Sequence, residues 1–199
     1  MCVALWYNQC MVKKKFKIEF GFISIMLIIF CLALIAIDIT LKYIEEGQQW
    51  MFGVIPGFIW VEYGHHNYGA AFSFLANAPW GQTFLTVFSA VLLCIIIAAF
   101  IFVPERFTFL KTALAMVIAG AVGNLVDRLM FGYVRDFVWV NMLFSTACCN
   151  FADFFIVFGI IFAIVDFLFL NEWALIPLTK RAKAAQAKEK EQASKDSKN

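Results

Sequence analysis

Three carboxylates, Asp127, Asp136 and Asp153, fall in one stretch, Gly120 to Asp153, set between two long apolar runs. Charges held against lipid-length segments are costly unless they are paired or used. Asp136 and Asp153 are the candidates for use, as a peptide-cleaving pair. Two carboxylates brought close together cannot both ionise cheaply, so they share a proton and titrate together. One then serves as base toward a water while the other, protonated, donates to a carbonyl oxygen. That chemistry cleaves an amide without a metal or a covalent intermediate. The chain contains no HExxH and no GxSxG, and its two histidines, His65 and His66, are too few for a zinc site.

Each of these residues also has a plain structural reading. Asn124, Asp127 and Arg128 stand at i, i+3 and i+4, so a continuing helix puts them on one face, where they can simply satisfy a helix end. Asn150 is a good N-cap, and Asp153 in the first turn is favoured by the helix dipole. What favours chemistry is the second acid, Asp136, in the short connection between the same two helices, because that connection can fold back and let the carboxylates meet. Asp166 lies 13 residues beyond Asp153, roughly 20 Å along a helix, too far to join them. A partner near the inner surface such as Lys111 or Arg106, or exposure there, is expected for it. The six cysteines show neither CxxC nor metal-ligand spacing; Cys31 and Cys94 read as small hydrophobes, and Cys148–Cys149 as a pair beside the candidate site.

The elements that must hold these groups lie in a membrane. The sequence is 63% hydrophobic and 15% charged over 199 residues, against about half and a quarter in soluble domains. Four apolar runs of spanning length are predicted as helices over about 20–41, 83–103, 107–126 and 151–171. The first follows Lys13, Lys14, Lys15 and Lys17 and is too long for a signal-peptide core, so it is read as a retained span. Between the first two runs, residues 45–81 are rich in Gly, aromatic and β-branched residues and predict a small β-rich cradle on the outer membrane surface. Residues 1–179 form a single membrane domain on this reading, and 180–199 a polar, lysine-rich cytoplasmic tail, solvated and helical at most in part.

Thirteen of the sixteen Lys and Arg fall before the first helix, between the second and third, or after Thr179. With an even number of spans these regions share one side, the cytoplasm by the positive-inside rule. Lys42, Arg128 and Arg135 remain on the outer side, and each has an acid next to it or one turn away (Asp38, Asp127, Asp136). Local pairing is expected for all three, with Asp38–Lys42 as an ion pair at a helix end.

The motifs together resemble the lipoprotein signal peptidases (signal peptidase II), four-span aspartyl proteases of bacterial inner membranes. Asp38-Ile-Thr-Leu-Lys42 is similar to the family's acid-x-x-x-Lys. Val54-Ile-Pro-Gly-Phe58 with Asn67-Tyr-Gly-Ala-Ala-Phe-Ser-Phe74 is similar to its outer-loop signature, and Gly120-Ala-Val-Gly-Asn-Leu-Val-Asp-Arg128 to its glycine-rich helix. Val134-Arg-Asp-Phe137 and Asn150-Phe-Ala-Asp153 look like the two segments that bear catalytic aspartates. The resemblance implies Asp136 and Asp153 as the dyad. It implies Asp38, Lys42, Asn67, Gly69, Gly120, Asn124, Asp127, Arg128, Asn150 and Ala152 as supporting or substrate-binding residues. It also implies a diacylglyceryl-modified prolipoprotein substrate cut before its lipidated cysteine, no cofactor, a monomer among membrane lipids, cytoplasmic termini and an outer-face site. Tyr68, Arg135 and Cys149 depart from the family pattern. Arg135 matters most, since a cation beside Asp136 favours the ionised acid. The other function class weighed is a small transporter or proton-conducting subunit using buried acids, for which Asp166 is the only midplane candidate. Nothing in the composition points to nucleic acid.

Overall fold

A computed structural model of the chain describes residues 20–69, 77–141, 145–171, 174–180, 183–188 and 191. Among the described residues four helices are long and apolar enough to cross a membrane. α1 runs Phe22–Gln48, α2 Gly81–Phe102 and α3 Thr108–Phe131. α4 runs Phe151–Val165 and ends in one wide turn, Asp166–Leu170. The most apolar window of α3 is 39% buried, against 11% in each of the others, so α3 is the central post. It packs against α1, α2 and α4, and its small residues Ala113, Ala115 and Ala119 are fully buried there. The other helices turn Ile29, Leu32, Val87, Ile95 and Ile160 outward, as lipid-facing surfaces require.

Four strands make one antiparallel sheet in the order β1-β2-β3-β4. β1 (Met51–Ile55) and β2 (Ile59–Asn67) lie between α1 and α2, where the cradle is expected; residues 70–76 of that region lie outside the described residues. β3 (Val134–Asn141) and β4 (Thr146–Cys149) come from between α3 and α4 and extend the sheet beyond that expectation. The α3–β3 turn is made by Gly132 at φ 77°, whose amide bonds Arg128 O. A left-handed residue at that position costs glycine little.

Two helices outrun their predicted ends. α1 continues well past Leu41, so Asp38 and Lys42 sit inside the helix and are wholly buried, not at a surface terminus. α3 continues past Val126, which places Asp127 and Arg128 in its last turns. At the opposite end of the bundle Glu105 caps α1. It accepts from the amides of Gly21, Ile23 and Ser24 and from the Ser24 hydroxyl, while Lys111 donates to Ser24 Oγ at 2.7 Å. Those bonds, the Ser24 hydroxyl first, hold the Glu105 carboxyl down at about 2. Asp166 is buried rather than exposed; its side chain accepts from Asn171 at 3.1 Å.

Candidate active site

The site forms where α3, β3 and the start of α4 meet. α4 begins with a reciprocal cap. Asp153 N–H donates to Asn150 Oδ1 at 3.1 Å, and Asn150 N–H donates back to Asp153 Oδ2 at 3.2 Å. The helix start that the sequence suggests is therefore real, and it fixes the Asp153 carboxylate as it satisfies the backbone. Asp153 Oδ1 also accepts from Asn124 Nδ2 at 2.7 Å, from the adjacent face of α3.

Asp136 reaches the same place from β3. Its Oδ1 accepts from Asn150 Nδ2 at 2.6 Å and its Oδ2 from Asn67 Nδ2 at 2.9 Å. Asn150 Nδ2 also donates to Asn124 Oδ1 at 3.0 Å. The two acids are thus joined through a pair of asparagines, Asp136–Asn150–Asn124–Asp153. Burial pushes the Asp136 carboxyl up to about 7; the charge on Asp153 pushes the same way, against the bonds from Asn67 and Asn150. At neutral pH Asp136 therefore keeps a share of its proton beside the oriented Asp153 side chain, and that proton is what acid–base amide hydrolysis needs.

Behind the acids lies a buried ionic cluster. Lys42 Nζ stands 2.8 Å from Asp38 Oδ2, 3.2 Å from Asp127 Oδ2 and 3.2 Å from Asn124 Oδ1. Asp38 Oδ1 accepts the Ala152 amide at 2.9 Å, so α1 caps the first turn of α4. Asp127 binds Arg135 through its backbone amide and guanidinium, and Arg135 reaches on to Glu46 at 3.0 Å. The expected pairing of Arg135 with Asp136 is not what forms. Successive side chains on a strand point to opposite faces, so Arg135 turns away from the acid beside it. Arg128 donates to Gly69 O at 3.2 Å, and Gly69 N–H to Asn67 Oδ1 at 2.9 Å, tying the end of β2 to α3.

Glycines without side chains let α3 come this close to α4 and α1. A Cβ on Gly120 would lie 2.2 Å from Ala152 O, and one on Gly123 2.4 Å from Asp38 Oδ2.

A cleft of about 820 Å³ opens beside the acids. Asp153, Asn67, Asn124 and Arg128 form its polar end, and Phe88, Leu92, Ile96, Val117, Ile156 and Ile160 carry it between α2, α3 and α4. β4 supplies Thr146, Ala147, Cys148 and Cys149 to one wall, and His65 and Trp139 stand beside them. Cys148 and Cys149 stand beside the site as the sequence suggests; the other wall residues were not assigned from sequence, and the β-branched and aromatic run of Val134–Asn141 was the signal available for a strand. Burial raises both thiols, Cys149 to about 12 and Cys148 further, and the nearby acids add to it. Neither is a thiolate nucleophile at neutral pH. Among the described residues no group of three or more His, Cys, Asp or Glu is placed to hold a metal ion.

Residues 10–169 match the family model described as Signal peptidase (SPase) II. The chain belongs to the signal peptidase II family. A lipoprotein signal peptidase of Ectopseudomonas mendocina is 38% identical over 148 residues, which are 70% of this chain and 85% of the relative. One of Moorella thermoacetica is 38% identical over 137 residues, 67% of this chain and 87% of the relative. The relative from Acinetobacter baumannii matches at 38% over 111 residues, 54% of this chain, and the match spans 62% of that relative's length. Among solved structures, a bacterial membrane enzyme determined by the in meso method aligns at a TM-score of 0.59 and 27% identity, covering 76% of this chain and 91% of its own. A second of the same description aligns at 0.55 and 26%, covering 78% and 98%. Signal peptidase II membership therefore rests on the family match and on relatives covered over most of their length. The helical fold with its small sheet agrees with the solved structures.

Proposed function

We propose that this chain is an aspartic endopeptidase that removes the signal peptide from lipid-modified prolipoproteins, cutting before the diacylglyceryl cysteine. The observation that carries the reading is the asparagine-bridged pair Asp136 and Asp153, of which Asp153 lines the polar end of a cleft that continues between membrane helices. A signal peptide is itself an apolar helix, so it enters between the spans and brings its cleavage point to the acids.

In the reaction Asp153, which lines the cleft, takes a proton from a water as the water oxygen bonds to the scissile carbonyl carbon. Asp136 gives its proton to the carbonyl oxygen, forming a neutral gem-diol. Collapse returns a diol proton to Asp136 as the C–N bond breaks, and the proton held by Asp153 passes to the departing nitrogen. A carboxylic acid and a new amine result, and the pair regains its starting protonation. Asn67, Asn124 and Asn150 orient the two acids, and the Asp38–Lys42–Asp127–Arg135 cluster fixes the elements that carry them. Residues 1–179 act as one domain in this reading, with cytoplasmic termini and the site at the outer face. That orientation rests on the lysine distribution.

The test is cleavage of a diacylglyceryl-modified prolipoprotein by Asp136→Asn and Asp153→Asn. Each should lose about 10³-fold in kcat, the scale of acid–base catalysis, while unfolding at the temperature of the unsubstituted protein or above it. A folded variant that keeps its rate would falsify the dyad.

A further inference from the structure

Among the described residues β4 is the last strand of the sheet, and its four residues wall the cleft. The direction of its backbone groups follows from its neighbour. Asn141 N–H donates to Phe58 O at 2.8 Å, so the polar backbone groups of Asn141, and of Trp139 two residues back, turn toward β2. Those of Val138 and Val140 turn toward β4, opposite Cys149 and Ala147. By the same alternation the amides and carbonyls of Thr146 and Cys148 point away from β3, at the open edge.

Proteins usually blunt such an edge with lysine, proline or a covering element. Thr146-Ala-Cys-Cys149 carries no charge and no proline. It also runs straight into the site, since Asn150 follows Cys149 and caps the helix that bears Asp153. Trp139, cross-strand from Cys148, lines the same cleft with its indole Nε1 buried and without a hydrogen-bond partner among the described residues. Among the described residues that wall therefore carries three unused polar features, the two outward backbone positions and the indole N–H.

We propose that the extended segment of the substrate next to the cleaved bond adds to β4 as a fifth strand, pairing with the backbone of Thr146 and Cys148. The inference rests on the peptidase reading and specifies how that site takes its substrate. Strand addition supplies main-chain hydrogen bonds that do not depend on side-chain identity. It also straightens the peptide and fixes the scissile carbonyl relative to Asp153 through the rigid Cys149–Asn150 junction. The signal-peptide helix would occupy the apolar part of the cleft, and the strand its polar end.

The test uses the intact protein in lipid and a synthetic lipidated peptide substrate prepared as a series of single backbone N-methyl isosteres on both sides of the scissile bond. Methylation at alternate positions of one flank should raise KM about tenfold, the scale of one lost hydrogen bond, with the intervening positions near the unmodified value. On the protein side, Cys148→Pro removes an outward amide that an edge strand can spare; it should raise KM similarly at unchanged kcat. Isosteres that are all cleaved alike, or that lose activity without the two-residue alternation, overturn the proposal. So does a folded Cys148→Pro variant with unchanged KM. If that variant does not fold, the peptide series decides alone. A protein that fails to cleave the unmodified peptide sinks the peptidase reading, and this inference with it; cleavage with no alternation sinks the inference only.

Discussion

Asp127 on α3 holds Arg135 on β3 at three points: the backbone amide at 3.0 Å and the guanidinium at 2.8 and 3.2 Å. The grip keeps a cation that is adjacent in sequence to Asp136 on the far face of the strand. There the guanidinium also lies over the rings of Tyr43 and Phe131, at 4.9 and 4.5 Å. Arg135 therefore belongs to the packing of α1, α3 and β3, and the Asp136 proton is held by burial and the charge of Asp153 against the bonds from Asn67 and Asn150 and the charge of Lys42.

Replacing Arg135 by Met should accordingly separate stability from proton balance. Asp127 would keep Lys42 but lose its closer partner, a change of about 3 kcal/mol for a broken buried pair. The alkaline midpoint of kcat/KM should stay where it is. Thermal unfolding in detergent and a pH–rate profile measure the two quantities, and a midpoint that moves would show that Arg135 acts on Asp136 after all.

The pH dependence itself follows from Asp136, whose carboxyl is raised to about 7 by burial and by the charge of Asp153. Activity needs the proton it holds, so kcat/KM should fall as pH rises through about 7. Asn67 donates to Asp136 Oδ2 and favours the ionised form. Removing that donor in Asn67→Ala raises the proton affinity, so the falling limb should move to higher pH while kcat at the optimum drops. A limb that shifts to lower pH, or stays fixed, contradicts the assignment of this titration to Asp136.

The same residues show what was legible before any coordinates. Long apolar runs announced four helices because a bilayer demands length and apolarity, two properties a sequence displays directly. The asparagine–aspartate cap at 150 and 153 was legible because its four residues are contiguous. Arg135 was not legible. Its direction depends on 134–141 being a strand, and β3 is buried on both faces over Val134–Val138, so the alternation that marks half-buried strands is missing. The asparagine bridge was hidden for another reason: Asn124 and Asn150 sit on different helices, and only the close α3–α4 packing lets them touch. The likeness to a known family named these residues, but their bonding partners came from the fold.

Lys42 offers a further check, since its ammonium is enclosed by Asp38, Asp127 and Asn124. Lys42→Met would leave the buried Asp38 without its cation and Asp127 with Arg135 alone, at a cost of about 3–5 kcal/mol. Neutralising one acid as well, in the double variant Asp38→Asn with Lys42→Met, should restore part of the loss, because the two sites are in contact and their effects do not add. Additive losses in denaturation midpoints would argue that Lys42 stabilises by filling space and not by charge.

Glycine substitutions test the α3–α4 contact that brings the acids together. On Gly120 an added methyl would meet Ala152 O at 2.2 Å and Ile156 Cγ1 at 2.7 Å, whereas on Gly47, near the end of α1, it meets nothing within 4 Å. Ala152 O is backbone, so the clash at Gly120 is relieved only by moving the first turn of α4, and that turn carries Asp153. Gly120→Ala should therefore destabilise by about 1–3 kcal/mol, as overpacking does, and lower kcat by more than the folded fraction explains. Gly47→Ala should be neutral or stabilising by up to about 1 kcal/mol, the helix-propensity gain of alanine over glycine. Measuring rate and unfolding temperature for both variants decides the matter: if Gly120→Ala keeps wild-type kcat, the Asn124–Asp153 bond does not need the close helix approach.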